Sequence, residues 1–118
     1  MGHSVIHVDD LERSGPNGGV RWVRRNLGVE AFGINRFDIP PGARGVEHDE
    51  SSTGQEEVSL VVAGSGHWEA DGEQVAVREG SFIRFDPETT RCPVAGPDGL
   101  SFVSIGCPRG AYTPHGPF

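Results

Sequence analysis

The amino-acid sequence predicts an all-β protein, an antiparallel β-barrel or double-sheet jelly roll formed by residues 1–118 as a single domain. Three observations carry the prediction. Apolar residues fall in short alternating runs, the period of a strand with one buried face. Glycine (18) and proline (9) together make up about a quarter of the chain and lie between those runs, where turns belong. No amphipathic helix longer than a turn or two can be traced, and there is no internal repeat. Roughly eight to ten short strands result, the number a two-layer β fold of this size uses.

Residues 4–8 read as a short β-like piece and residues 9–19 as an acidic, turn-rich connector. Residues 20–25 set Val20, Trp22 and Arg24 against Arg21, Val23 and Arg25, a strand with mixed faces. Residues 29–39 alternate more cleanly and predict a long strand, with Ala31, Gly33, Asn35, Phe37 and Ile39 on one side. It ends at Pro40-Pro41-Gly42, where two prolines remove ladder donors and the glycine permits a turn. A short strand carrying His48 and Glu50 follows, with Glu47 and Asp49 on its opposite, solvated face.

In residues 57–63, Val58, Leu60 and Val62 form a bulky apolar face. Glu57, Ser59, Val61 and Ala63 form a smaller face suited to a narrow cavity, with Glu56 pointing outward. Gly64-Ser65-Gly66 predicts a turn and residues 67–70 a return strand. Asp71-Gly72 is the strongest hairpin signal, because both turn positions need positive φ. Strands at 74–77 and 81–85 follow, then a loop at 86–90, a short segment ending at Cys92-Pro93 and a turn at Gly96-Pro97-Asp98-Gly99. The last strand is 100–105, and a tail rich in proline and glycine wraps the outside.

A chain of 118 residues holds one modest core. The net charge of −7 excludes a nucleic-acid role, which needs a basic surface. No apolar run is long enough to cross a bilayer, and the N-terminus lacks the basic start and apolar core of an export signal, so the expectation is a cytoplasmic protein without a membrane partner. Ile6 stands where a myristoylation signal wants serine or threonine. In that setting Cys92 and Cys107 are expected as reduced thiols, Cys92 buried and inert, although a bridge between them is conceivable and Arg91 beside Cys92 would favour a thiolate. Trp22, Trp68 and Phe82 are assigned to the core rather than to ligand stacking. His67 is placed on the surface beside Trp68, with the pocket mouth as the alternative. The bulky apolar face needs a cover, which the N-terminal strands or a second copy can supply, and a homodimer is expected.

Residues 40–66 combine a Pro-Gly entry, His48 and Glu50, a polar loop, Glu56-Glu57 and Gly-Ser-Gly. That order resembles the first motif of the cupin family, in which a glycine is followed six residues later by a His-x-His pair, then a glutamate and a second glycine. Gly42, His48, Glu57 and Gly64 sit at matching offsets, and Glu50 stands where the second histidine belongs. Residues 80–91 resemble the second motif, and its histidine position falls on Arg91. The likeness covers residues 40–94, with residues 4–39 and 100–118 as flanking strands and tail.

The resemblance implies that His48, Glu50, Glu57 and Arg91 converge inside the barrel. Family members commonly hold a divalent metal on three histidines and a glutamate. Here His48, Glu50 and Glu57 are candidate ligands for Fe, Mn, Zn or Ni, since three protein donors suffice. Arg91 carries donors only, cannot coordinate a cation, and competes for the carboxylates. The metal-free arrangement is therefore slightly preferred. Two function classes follow. One is a small-molecule enzyme of isomerase, cyclase or lyase type, or a metal-dependent oxygenase. In the metal-free form Glu57 or Glu50 and His48 exchange general-base and general-acid roles, with Glu50 and Arg91 holding the substrate. The other is a non-catalytic binding or sensing module, or a barrel kept for oligomerisation.

Overall fold

Two strands far longer than the sequence pattern predicts, Gln55–Ala70 and Arg91–Pro108, are shared between both layers of the molecule. The computed structural model describes residues 2–118. Its strands are β1 (Val20–Arg21), β2 (Gly33–Ile39), β3 (Gln55–Ala70), β4 (Glu73–Arg78), β5 (Phe82–Phe85) and β6 (Arg91–Pro108), with a five-residue helix α1 (Val23–Leu27) between β1 and β2. All pairings are antiparallel, in the order β1-β2-β6-β3-β4, with β5 on the other side of β3; the sheet does not close.

Residues 100–108 of β6 pair with 55–64 of β3, and 91–95 pair with 66–70. The first half-strands join β1, β2 and β5 in one layer, and the second join β4 in the other. Register shifts between Val61 and Ala63 and between Gly64 and Gly66 mark the crease. Residues 64–66, expected as a turn, are that crease: the chain bends across the layers without reversing. Gly64 has φ 76, and a Cβ on Gly66 would collide with the carbonyl of Val94, so backbone fills the space a side chain needs. Likewise the expected turn at 96–99 is an irregularity inside β6.

The hairpin at Asp71-Gly72 has φ 49 and φ 83, the two left-handed positions its sequence demands. Val61, Trp68, Val77, Phe85, Ala95, Leu100 and Phe102 form the buried core between the layers. Trp68 meets Phe102 edge to face at 4.7 Å, and Phe37 stacks on Phe102 at 5.2 Å. Phe82, assigned to the core from sequence, is 72% exposed, because β5 turns it to the outer face beside Leu60.

The N-terminal third departs most from expectation. Residues 4–8 form no strand, and Val8–Asp10 is a 3-10 turn started by His7 accepting from the Asp9 amide. Only Val20–Arg21 of the segment 20–25 pairs; the Val23 amide bonds to Asn35 Oδ1 and the chain turns into α1, which ends at Gly28 in the left-handed conformation. Strand β2 begins at Gly33, four residues later than the pattern implies. Among the described residues, no helix is long and apolar enough to cross a membrane.

Because the crease leaves no room for a methyl group, Gly66→Ala is expected to destabilise the protein by about 2 kcal/mol in urea unfolding. Gly72→Ala, where open space surrounds the Cβ position, reports the cost of positive φ alone.

Candidate functional site

A cavity of about 480 Å³ opens between the layers, lined on one side by β2, β3 and β6 and on the other by residues 44–50. Residues 43–48 run along the first half of β6. Gly45 N donates to Pro93 O at 2.8 Å, and His48 and Arg91 exchange both backbone hydrogen bonds at 3.0 and 2.9 Å. The pairing is limited to bridges at Arg44 and His48, so the short strand expected there is an extended segment held at two points. Glu50 is fixed by its amide bonding to Pro87 O at 2.8 Å and by Thr53 Oγ1 donating to Glu50 Oε2 at 2.8 Å.

His48, Glu50 and Glu57 come together as the sequence implied: one ligand atom from each lies within 4.8 Å of the others. His48 Nε2 and Glu50 Oε1 are 3.7 Å apart, an ion-pair separation but beyond hydrogen-bond length. His48 Nδ1 faces the Val46 carbonyl at 3.3 Å. A carbonyl only accepts, so Nδ1 carries a proton, and in the neutral ring the lone pair belongs to Nε2 on the carboxylate side. His48 is the exposed member, with 42% of its side chain accessible against 22% for Glu50 and 17% for Glu57.

Arg91 is 1% exposed and bonds through Nη2 to Glu57 Oε1 at 3.1 Å. Its Nη1 donates to the carbonyls of Thr89 at 2.9 Å and Asp86 at 3.3 Å, and its Cζ lies 5.0 Å from the centre of the Phe85 ring. Expected as a substrate-binding group, Arg91 does not line the cavity; it stands behind Glu57 and grips it from the protein side. The cluster holds two carboxylates, only one of them paired with the guanidinium, so with neutral His48 it retains one negative charge.

The donor chemistry fits a divalent cation. An imidazole nitrogen with its lone pair toward two carboxylates, backed at the other nitrogen by a carbonyl, is the arrangement of a metal-bound histidine. Arg91 occupies only one oxygen of Glu57, leaving the second available. The same three groups, without an ion, make an acid–base set.

Ser59, expected on the cavity face, is buried there and joined to Ser104 at 2.6 Å across β3 and β6. Ser104, Asn35, Gln55, Arg24 and Arg44 also line the space and went unrecognised in the sequence. The signal was present for Asn35, which shares a strand face with Phe37. Arg44 is held by Glu69 at 2.6 Å, a hydrogen bond that holds the Glu69 carboxyl below its ordinary range.

The remaining candidates stay apart. His67 does not line the cavity, and its Nε2 is buried without a partner among the described residues. Trp22 is stacked by Arg25, whose Cζ is 5.3 Å from the ring centre. Both cysteines are free thiols. Burial pushes the Cys92 thiol up, and Sγ donates to Gly45 O at 3.4 Å, so proximity to Arg91 in sequence does not make a nucleophile.

Residues 35–106 match the sequence profile of the Cupin domain. Among curated proteins, no sequence matches this chain. A cupin protein from Bacteroides fragilis superposes with a TM-score of 0.81 at 20% identity, over 98% of this chain and 92% of that one. A predicted oxalate decarboxylase from Thermotoga maritima gives 0.69 at 19% identity, over 88% and 98%. A sugar phosphate isomerase from a cupin superfamily, from Silicibacter pomeroyi, gives 0.73 at 18% identity, over 88% and 75%. At these identities the likeness is one of fold.

Removing Arg91 strands the Glu57 carboxylate without its partner. Arg91→Met is expected to lower unfolding stability by about 3 kcal/mol, and adding Glu57→Gln to recover part of that loss, both read from urea denaturation.

Proposed function

The chain belongs to the cupin family, and from that premise we propose that it is an enzyme acting on a small molecule inside the cavity by proton transfer, of isomerase, cyclase or lyase type. The observation that carries this is the gathering of His48, Glu50 and Glu57 within 4.8 Å in a cavity that also holds the rings of Phe37, Trp68 and Phe102. One negative charge is left over, and a proton on His48 balances it. Glu50, 3.7 Å from Nε2, stabilises that imidazolium. Glu57 is the base: Arg91 fixes one oxygen, and the other takes a proton from the substrate while His48 returns one to an oxygen of the bound molecule. Arg91 touches no substrate and acts as a positioning residue through Glu57.

A second reading rests on the His48 tautomer. Its Nδ1–H is committed to Val46 O, which leaves Nε2 with Glu50 and Glu57 as a donor set for one Fe, Mn, Zn or Ni ion. Such an ion supplies Lewis-acid or oxygen-activating chemistry. Elemental analysis of protein purified without added metal separates the two. Substoichiometric metal is expected on the proton-transfer reading, and near-stoichiometric metal overturns it in favour of the second. A ligand recovered unchanged, with affinity intact in Glu57→Gln, supports a binding module instead.

A homodimer is part of the same proposal. On the outer face, Val58 pairs with Ile105 and Leu60 with Val103 and Phe82; Phe82 is 72% and Ile105 42% exposed. This apolar patch on an acidic chain suits a second copy meeting it about a two-fold axis. The solution mass is expected to be that of two chains, with Phe82→Glu shifting it to one; a monomeric wild type overturns the dimer.

A further inference from the structure

The strand register gives the cavity a direction. Across β2, β6 and β3 the inward residues lie in rows: Gly33, Gly106 and Glu57, then Asn35, Ser104 and Ser59, then Phe37, Phe102 and Val61. Successive rows are about 7 Å apart, so Glu57 stands about 13 Å from the aromatic row. Along these strands the inward row changes from polar to aromatic.

The middle row supplies donors. Asn35 Oδ1 already accepts from Val23 N at 3.0 Å, which fixes the amide orientation and leaves both Nδ2–H groups for the cavity. The Ser59–Ser104 pair uses one hydroxyl proton between the two oxygens and retains one for a third partner. Over Gly106 the Gln55 amide takes the place of a side chain, since a Cβ there would sit 2.7 Å from Gln55 Oε1. The far end is Phe37 stacked on Phe102, with Trp68 edge-on at 4.7 Å and lining the same space. Stripping water from a hydroxyl against those rings has no compensating hydrogen bond.

Resting on the reading of this cavity as the working site, we propose that its ligand is an amphipathic oxo or hydroxy acid with an aryl or branched-alkyl tail. The tail lies on Phe37, Phe102 and Trp68. The acid head stays at the Asn35 and Ser59–Ser104 row beside His48 and Glu57. A molecule polar at every carbon leaves groups unpaired at the aromatic end, and a short dicarboxylate fills only the head region.

The test is calorimetric titration of chelator-treated wild-type protein with phenylpyruvate, pyruvate, oxalate and glucose 6-phosphate, with the Trp68 indole N–H followed by NMR. Phenylpyruvate is expected to bind at least about tenfold more tightly than the other three and to shift the Trp68 resonance. Asn35→Asp keeps the oxygen that accepts from Val23 but exchanges the donors for a charge that repels the acid, and is expected to weaken phenylpyruvate at least about tenfold. Equal or tighter binding of pyruvate, oxalate or glucose 6-phosphate, an unmoved Trp68 resonance, or no binding of phenylpyruvate overturns the proposal. Unchanged affinity in Asn35→Asp overturns the placement of the head. Since no metal and no turnover enter the measurement, failure of the proton-transfer reading leaves this result standing, and the reverse also holds.

Discussion

A buried guanidinium organises the site. Arg91 cannot lose its charge, so at 1% exposure it requires acceptors, and the fold supplies Glu57, two backbone carbonyls and the face of Phe85. The same residue exchanges both backbone hydrogen bonds with His48. One position in β6 thereby sets the carboxylate of β3 and the imidazole of the neighbouring segment at a fixed separation. Where the family commonly has a histidine that faces a metal, this chain has a cation that stands behind the carboxylate and orients it.

The layers that enclose the site depend on two long strands bending at glycine. Each contributes its longer part to one layer and its shorter part to the other, so the cavity wall and the core share a backbone. The crease at 64–66 brings β3 against β6 too closely for side chains, and the strand continues past it to present Trp68 opposite Phe102. Depth and polarity of the cavity follow from that geometry. Glu57, Ser59 and Val61 face the interior in succession, so polarity falls along one strand from the acid cluster to the aromatic row.

Electrostatics narrows the chemistry the cluster can perform. Two carboxylates against one arginine leave a negative charge in a partly enclosed space, and His48 is placed to compensate it by proton or by sharing a cation. The choice between those outcomes turns on one nitrogen, Nε2, because Nδ1 is committed to the Val46 carbonyl. Cys92, next to Arg91 in the chain, has no part in this: side chains of adjacent strand residues point to opposite faces, and burial keeps its thiol protonated.

Local pattern alone determined the all-β class, the alternation that turns Glu57 and Ser59 inward and the Asp71-Gly72 hairpin. These are consequences of period and turn chemistry, which act within a few residues; the candidate trio His48, Glu50 and Glu57 came from the motif resemblance. Tertiary structure decided the rest. A glycine pair reads as a turn in sequence whether the chain reverses or creases, and only the approach of the Val94 carbonyl shows which. Alternation at 20–25 reads as a strand until the Val23 amide finds Asn35, twelve residues away. The aim of Arg91 was equally hidden: no local rule says whether an arginine reaches into a cavity or stands behind its wall, because that depends on which long-range partner desolvation obliges it to find.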